Sequence, residues 1–486
     1  MRRRTETGLP GRPPVRRRPR VSAAMCAVVT VALCAAGPYA AADASATGVS
    51  TGAVDVVPGA ADGSYPYAFG EDDREIRGAT VAGDAARLDP GGTYRGTLPD
   101  GATLLYRLDL DATTNAYVSA TAAPRPGARV ASADGLRVSV QDADGHLCST
   151  DTVHFGPTRS ARPVAAWAGR ETGEGGSYLC RGAGTYYALV ERRGAAGVSG
   201  ASSSSGDWDL ELDYVTEPAP RGTGDTAPGT WGSAAPEPLS GDPVRRVGGA
   251  GFAAARALEQ GVWEDDVRPG QTRFYKVPVD WGQQLYATAE LAAGTGGGGA
   301  DGGDGAGGGF VGTALTMSLY NPVRGRVDDA ETGYGGERSM AALRPLPPVA
   351  YENRYASEDR VGAMRFAGWY YLAVHLGTPV ADRFGDGPFG LTLRIRVSGT
   401  ARSGPVYMGR SAPGGVFEVT AGTRREAVAG TGGDPGDGSG GGGGGGPGSG
   451  AMRLVAAGGL GTGSLLVLWL GLWTLLSRRR RPRRTG

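Results

Sequence analysis

Histidine is nearly absent. His146, His154 and His375 are all that a chain of 486 residues carries. Neither HExxH nor GxSxG occurs, which removes the helix-borne zinc pair of metalloproteases and the nucleophile elbow of α/β-hydrolases. Lysine is reduced to Lys276 against many arginines, a mark of GC-rich coding rather than of chemistry. Net positive charge is also missing from the middle of the chain. Eight arginines fall within the first twenty residues and six follow Ser477, so the stretch between is acidic, at roughly −13. A nucleic-acid partner needs clustered Lys and Arg to displace counterions, and none is expected.

Cysteine is sparse too. Cys26 and Cys34 sit in an apolar N-terminal run, which leaves Cys148 and Cys180 as the one further pair. In an exported chain that pair is expected to form a disulfide. Closing a loop of about thirty residues contributes about 3–4 kcal/mol in the chain-entropy model. The alternative is a metal held by these cysteines with His146 and His154, but His146-x-Cys148 matches no zinc spacing. No metal and no cofactor is expected.

Glycine (87 residues) and proline (32) are abundant, so much of the length reads as connector. The two ends set the compartment. Residues 1–42 have a basic start, the apolar run Val21–Ala36 and small residues at Ala40-Ala41-Ala42. That is the layout of a secretory signal peptide, with an uncleaved anchor as the alternative. Residues 454–476 carry no charge and are long enough to span a bilayer core of about 30 Å. The arginines of 477–486 then place this end in the cytoplasm and everything upstream outside. The lipid bilayer is therefore an expected partner, and a single-pass cell-membrane protein the expected form. A sortase signal is the competing reading, but LPxTG is absent.

Between the ends, one pattern occurs twice. Tyr106, Tyr117, Gly101, Asp111 and Tyr94 recur as Tyr275, Tyr286, Gly270, Asp280 and Trp263 at a constant offset of 169 residues. Each copy shows short strands with period-two alternation. Tyr106, Leu108 and Leu110 answer Tyr275, Val277 and Val279, and Gly184-Thr-Tyr-Tyr answers Gly368-Trp-Tyr-Tyr. The best helical stretch is Phe252–Gln260. The expected fold is all-β: two tandem antiparallel β-sandwich domains with disordered linkers and one C-terminal transmembrane helix. The boundaries are 43–75 disordered, 76–215 first sandwich, 216–246 Pro/Gly linker, 247–398 second sandwich, and 399–453 stalk, Gly-rich from about 422. Within 43–75 only Tyr65, Tyr67 and Phe69 suggest a segment that docks.

The order of turn, YR-hydrophobic-D strand, LRVSVQDADG strand and AGTYYALV strand resembles bacterial pre-peptidase C-terminal domains. Tyr275-Lys-Val-Pro-Val-Asp-Trp-Gly-Gln-Gln-Leu is similar to segments in membrane-anchored ectodomains of high-GC Gram-positive bacteria. The resemblance covers residues 76–398. It implies a β-sandwich fold and an accessory, binding role, and it transfers no catalytic residue.

The carboxylates Glu264-Asp265-Asp266 and Asp328-Asp329 read as solvated turns, and Asp142-Ala-Asp-Gly as an Asx turn rather than a calcium loop. His375 reads as a strand residue that is satisfied or at the surface. Trp281 replaces Ala112 of the first copy, and Trp369-Tyr370-Tyr371 must turn alternate rings outward. Trp281, Trp369 and Tyr370 are thus the candidate binding residues, and no catalytic residue is expected. The expected function is a non-catalytic, membrane-anchored binding or scaffold protein of the cell envelope. Its partner would be an envelope protein or, alternatively, a cell-wall polymer on which exposed rings stack.

Overall fold

The structure is a computed structural model and describes residues 65–125, 127–173, 178–194, 206–222, 227–237, 239–294 and 309–429. The segments read as signal peptide, transmembrane helix and cytoplasmic tail lie outside the described residues, as does the Gly-rich tract beyond 429. Among the described residues no helix is long and apolar enough to cross a membrane.

The first copy folds as β1 (Arg74–Glu75), β2 (Ala86–Arg87), β3 (Thr93–Leu98), β4 (Thr103–Leu110), β5 (Asn115–Pro124), β6 (Gly135–Asp142), β7 (Leu147–His154), β8 (Val164–Arg170), β9 (Gly184–Arg193) and β10 (Trp208–Glu217). The second folds as β11 (Val244–Arg245), β12 (Arg256–Ala257), β13 (Gly261–Val267), β14 (Thr272–Val279), β15 (Gln284–Leu291), β16 (Val311–Tyr320), β17 (Arg326–Tyr334), β18 (Ser339–Ala342), β19 (Gly368–Leu376) and β20 (Phe389–Ser398). Each copy is two five-stranded sheets. The first pairs its strands in the orders β1-β3-β10-β5-β8 and β2-β4-β9-β6-β7. Adding ten to every number gives the two orders of the second copy. The duplication seen in the sequence is thus a duplication of topology. The turn glycines Gly101 and Gly270 hold positive φ at matching places, where a Cβ would be strained. The short strands β1, β2, β11 and β12 pair parallel, against the all-antiparallel expectation.

Alternation places the core. Tyr106, Leu108 and Leu110 share the core of the first sandwich with Val138, Val140 and Leu210. Tyr275, Val277 and Val279 do the same beside Met317, Leu372 and Leu393 in the second. The opposite faces are not all wet. The outer face of β5, β8 and β10 meets the outer face of β14, β16 and β19. Ala165, Phe252, Phe274, Tyr320 and Ala373 form one seam, with Tyr67 packed against it. Tyr117, Val215, Val323, Phe366 and Phe417 form another. Tyr67 and Phe69 do dock. Tyr67 stands edge-on to Phe274, 6.0 Å between centroids, and its hydroxyl accepts the Phe252 N–H at 3.3 Å.

Three expectations are corrected. Residues 252–260 form no helix, because Phe252 is drawn into the seam and Arg256–Ala257 join a sheet. The described part of the linker lies along β15 and β20. Gln284 donates to Gly232 O, Arg394 to Leu239 O and Arg396 to Glu237 O. Residues 399–429, read as stalk, pack on both sandwiches. Phe417 stacks on Phe366 at 4.8 Å, and α1 (Ala421–Ala429) pairs Glu426 with Lys276 at 2.6 Å. Composition suggested disorder, but backbone carbonyls need only donors, and outward arginines supply them.

The seam is pinned by buried charge. Glu217, at the end of β10, accepts from Arg354 at 2.8 Å, Asn115 at 2.9 Å, Tyr117 at 2.9 Å and Tyr407 at 2.9 Å. Burial alone would raise its pKa, but the Arg354 guanidinium and these donors hold it below the usual range. Arg354→Ala leaves this carboxylate buried without its cation and should cost about 3–5 kcal/mol. Chemical denaturation should show one cooperative transition shifted to lower denaturant. Two transitions, only one of them shifted, would show that the sandwiches unfold independently.

Candidate functional site

The residues best suited to chemistry are closed off. His375 is on β19 facing the seam and is 2% exposed. Its Nε2 lies 2.8 Å from Ser160 Oγ of the first sandwich, and its Nδ1 lies 3.0 Å from Thr272 Oγ1. Ser160 Oγ also accepts the Thr378 N–H at 3.0 Å. A serine next to a histidine invites a nucleophile reading. Here the third group is a threonine, not a carboxylate, and Ser160 is fully buried. Burial, aided by the Arg162 charge, lowers the His375 pKa to about 3, far from the value a general base needs near neutrality. The pair is a peg between the sandwiches.

The expected disulfide is present, with Cys148 and Cys180 bonded at 2.05 Å. This removes both thiolates as metal ligands. Asp142, Asp144 and His146 do converge, their ligand atoms within 4.8 Å of one another. Asp142 is already taken up by the Asp144 and His146 N–H groups at 3.0 and 2.8 Å and by His146 Nδ1 at 2.8 Å, an Asx turn. The carboxylates read as solvated turns are strand residues. Asp265 is buried on β13, accepting from Tyr275 at 2.7 Å and Gly248 N–H at 2.8 Å. Asp328 is buried on β17 against Arg344. A charged run hid one inward position in each strand.

The candidate aromatics part company. Tyr370 is fully buried in the second core and donates to Phe366 O at 2.8 Å. Trp369 turns outward but lies half-buried beneath Lys276, 4.6 Å from its ring, at the foot of α1. Tyr371 faces the seam. Trp281 is 8% exposed rather than a surface platform. Residues far along the chain cover it. A Cβ on Gly404 would fall 2.2 Å from the indole nitrogen, so only glycine permits this approach.

Trp281 nevertheless lines a cleft of about 450 Å³ at one pole of the second sandwich. Its walls come from four separate segments. Trp231 and Pro220 belong to the linker, Trp281 to the β14–β15 turn, Pro348 and Tyr351 to the insertion after β18, and Pro405 to the C-terminal segment. Trp231 is half-buried. Arg354 covers a face of Tyr351 at 3.5 Å, tying the cleft to the Glu217 ion pair. Aromatic and proline surface with a few polar groups is the composition of a ligand site. Sequence reading found Trp281 but missed Trp231 and Tyr351, whose neighbourhood is created only by the fold.

No protein-family model and no curated protein matches the chain. Among solved structures, the CBM22-1–CBM22-2 tandem domain of Paenibacillus barcinonensis Xyn10C is similar over 64% of this chain and 92% of that one, at 10% identity and a TM-score of 0.17. The tandem CBM51 modules of a family 98 glycoside hydrolase from Streptococcus pneumoniae match over 63% and 83%, at 8% identity and a TM-score of 0.17. Tripeptidyl peptidase 2 matches over 71% and 28%, at 9% identity and a TM-score of 0.19. Likeness at this level leaves the function to the chemistry of the site itself.

The His375 peg makes a pH prediction. Its folded pKa is below the unfolded value of 6.5, so the unfolded chain takes the proton first. The stability this group contributes is complete above pH 6.5 and is lost as pH falls from there toward 3. Denaturation of wild type and His375→Gln at a series of pH values isolates it. Wild type should lose stability relative to the variant by up to about 1.4 kcal/mol per pH unit in that window. Parallel curves would place His375 outside the closed seam.

Proposed function

We propose that this chain is a non-catalytic binding ectodomain held at the cell membrane, and that it takes hold of an envelope protein through the cleft around Trp281. The observation that carries the reading is the way this cleft is built. Linker, insertion and C-terminal segment leave the strands of both sandwiches and converge on one indole. Three aromatic rings and several prolines there offer apolar surface to a partner's side chain, with Arg402 and Glu352 at hand to orient it. The uncharged run 454–476 and the arginines after it support membrane retention with the sandwiches outside. The closure of the Ser160–His375 pair supports a role without catalysis.

A second reading has its own support. The half-buried Trp231 ring suits the C–H face of a sugar ring, and Arg402 and Glu352 in the same lining can meet its hydroxyls. A cell-wall polymer is then the ligand.

The test uses Trp231→Ala, a change outside both cores. Wild type and variant are incubated with solubilised membrane proteins and, separately, with protein-free wall polymer. One envelope protein enriched by wild type and reduced about tenfold or more by the variant is the expected result, the loss of a central aromatic anchor. Retention on wall polymer alone, lost in the variant, would favour the second reading. Equal capture by both proteins would overturn the assignment of this cleft.

A further inference from the structure

A second cleft, of about 570 Å³, opens where the two sandwiches meet. β7 and β8 form one wall, and β17 with the insertion 354–365 forms the other. Its lining has six carboxylates and five arginines. That near-balance excludes two ligand classes. A phosphate site would show an excess of cations, and a hard-cation site would gather carboxylates on one point. Here the charges are spent on one another. Arg326 holds Asp329 at 2.6 Å, Arg365 holds Glu171 at 2.9 Å, Arg344 holds Asp328 and Arg360 holds Glu358.

Hydrogen-bonding capacity remains after these pairs form. Asp151 accepts only the backbone N–H groups of Thr152 at 2.8 Å and Trp167 at 3.3 Å, and makes no ion pair among the described residues. Arg365 is 9% exposed and its Nε–H has no acceptor. The Nε–H of Arg326 has none either. A buried polar group without a partner costs free energy that a ligand can recover. Trp167 is the one aromatic side chain in the lining, with the Arg365 guanidinium 5.0 Å from its ring. Spare acceptors and donors side by side, fixed by mutual ion pairing and close to no net charge, match groups that both give and accept hydrogen bonds. Hydroxyls on an uncharged ring are such groups, and the volume lies within the range of small-ligand sites, about 300–1,000 Å³.

We propose that the junction cleft binds the hydroxyls of an uncharged saccharide unit, with Asp151 as acceptor and Arg326 and Arg365 as donors. The site is separate from the cleft around Trp281 and does not rest on the reading of that cleft. Calorimetric titration of the full chain in detergent tests it. The probes are neutral glucose and N-acetylglucosamine oligosaccharides, with inorganic phosphate and polyglutamate as anionic controls. A neutral oligosaccharide should bind, and Asp151→Asn should weaken it about tenfold or more, the loss expected for a hydrogen bond to a charged group. Asp359→Trp, an exposed change at the rim, should block it by bulk. Trp231→Ala should leave it unchanged. Raising salt from about 50 to about 500 mM should alter affinity less than about twofold, because no net charge is neutralised. Three results would each overturn the proposal. One is no binding of any neutral probe at about 10 mM, where even a weak site registers. Another is binding untouched by both cleft variants. The third is binding by the anions alone with steep loss in salt.

Discussion

A buried ion pair across the seam organises the body of this protein. Glu217 is the last residue of the last strand of the first sandwich, and Arg354 comes from an insertion of the second. Both side chains are almost wholly out of water. A lone charge there would be intolerable, so each fixes the other, and the remaining carboxylate lone pairs must be filled. Asn115, Tyr117 and Tyr407 fill them. One carboxylate therefore gathers the first sheet, the second domain and the C-terminal segment. The clefts on either side inherit this order, since Arg354 also lies against Tyr351 in one and lines the other.

The two copies share a topology but not a role. The sheet that the first copy presents at the seam has the strand order β1-β3-β10-β5-β8, while the second copy presents its other sheet. Such a contact is heterologous, and repeated without closure it would string copies into a fibre. Each outward face carries a stop. On β15 and β20, Gln284, Arg394 and Arg396 are engaged by the linker's carbonyls. On β4 and β9, Arg107, Asp109, Glu191 and Arg193 replace the apolar side chains that the seam uses. Terminal repeats of stacked proteins are capped in the same physical way, by a polar outer face.

Much of this was legible in the chain. The 169-residue offset, the alternation of Tyr106 and Tyr275 with their neighbours, and the lone external cysteine pair led to the strands, the duplication and the disulfide. Alternation tells which side chains share a face, but not whether a face meets water or another domain. That is why His375, outward by register, is buried and Tyr371 half-buried. The burial of Trp281 was hidden for a related reason, because its cover, Gly404, is more than a hundred residues away in sequence. The small-residue stretches misled through composition. Glycine and proline lower the local drive to order, yet an outward arginine or a single phenylalanine such as Phe417 can dock them. Asp151 and Arg365 carried no sequence signal, since they meet only when two sandwiches do.

The course of residues 399–429 has a mechanical meaning. The segment forms bridges with Thr216 and Pro220, stacks Phe417 on Phe366, and ends in α1 against β12 and β14. Tension applied beyond residue 429 would not reach a sandwich strand first. It would load Arg424–Asp280 and Glu426–Lys276, then the aromatic stack, and only then the seam. Two exposed or half-exposed ion pairs are weak links. They yield early and spare the sheets, so the C-terminal segment acts as a fuse in series with the body.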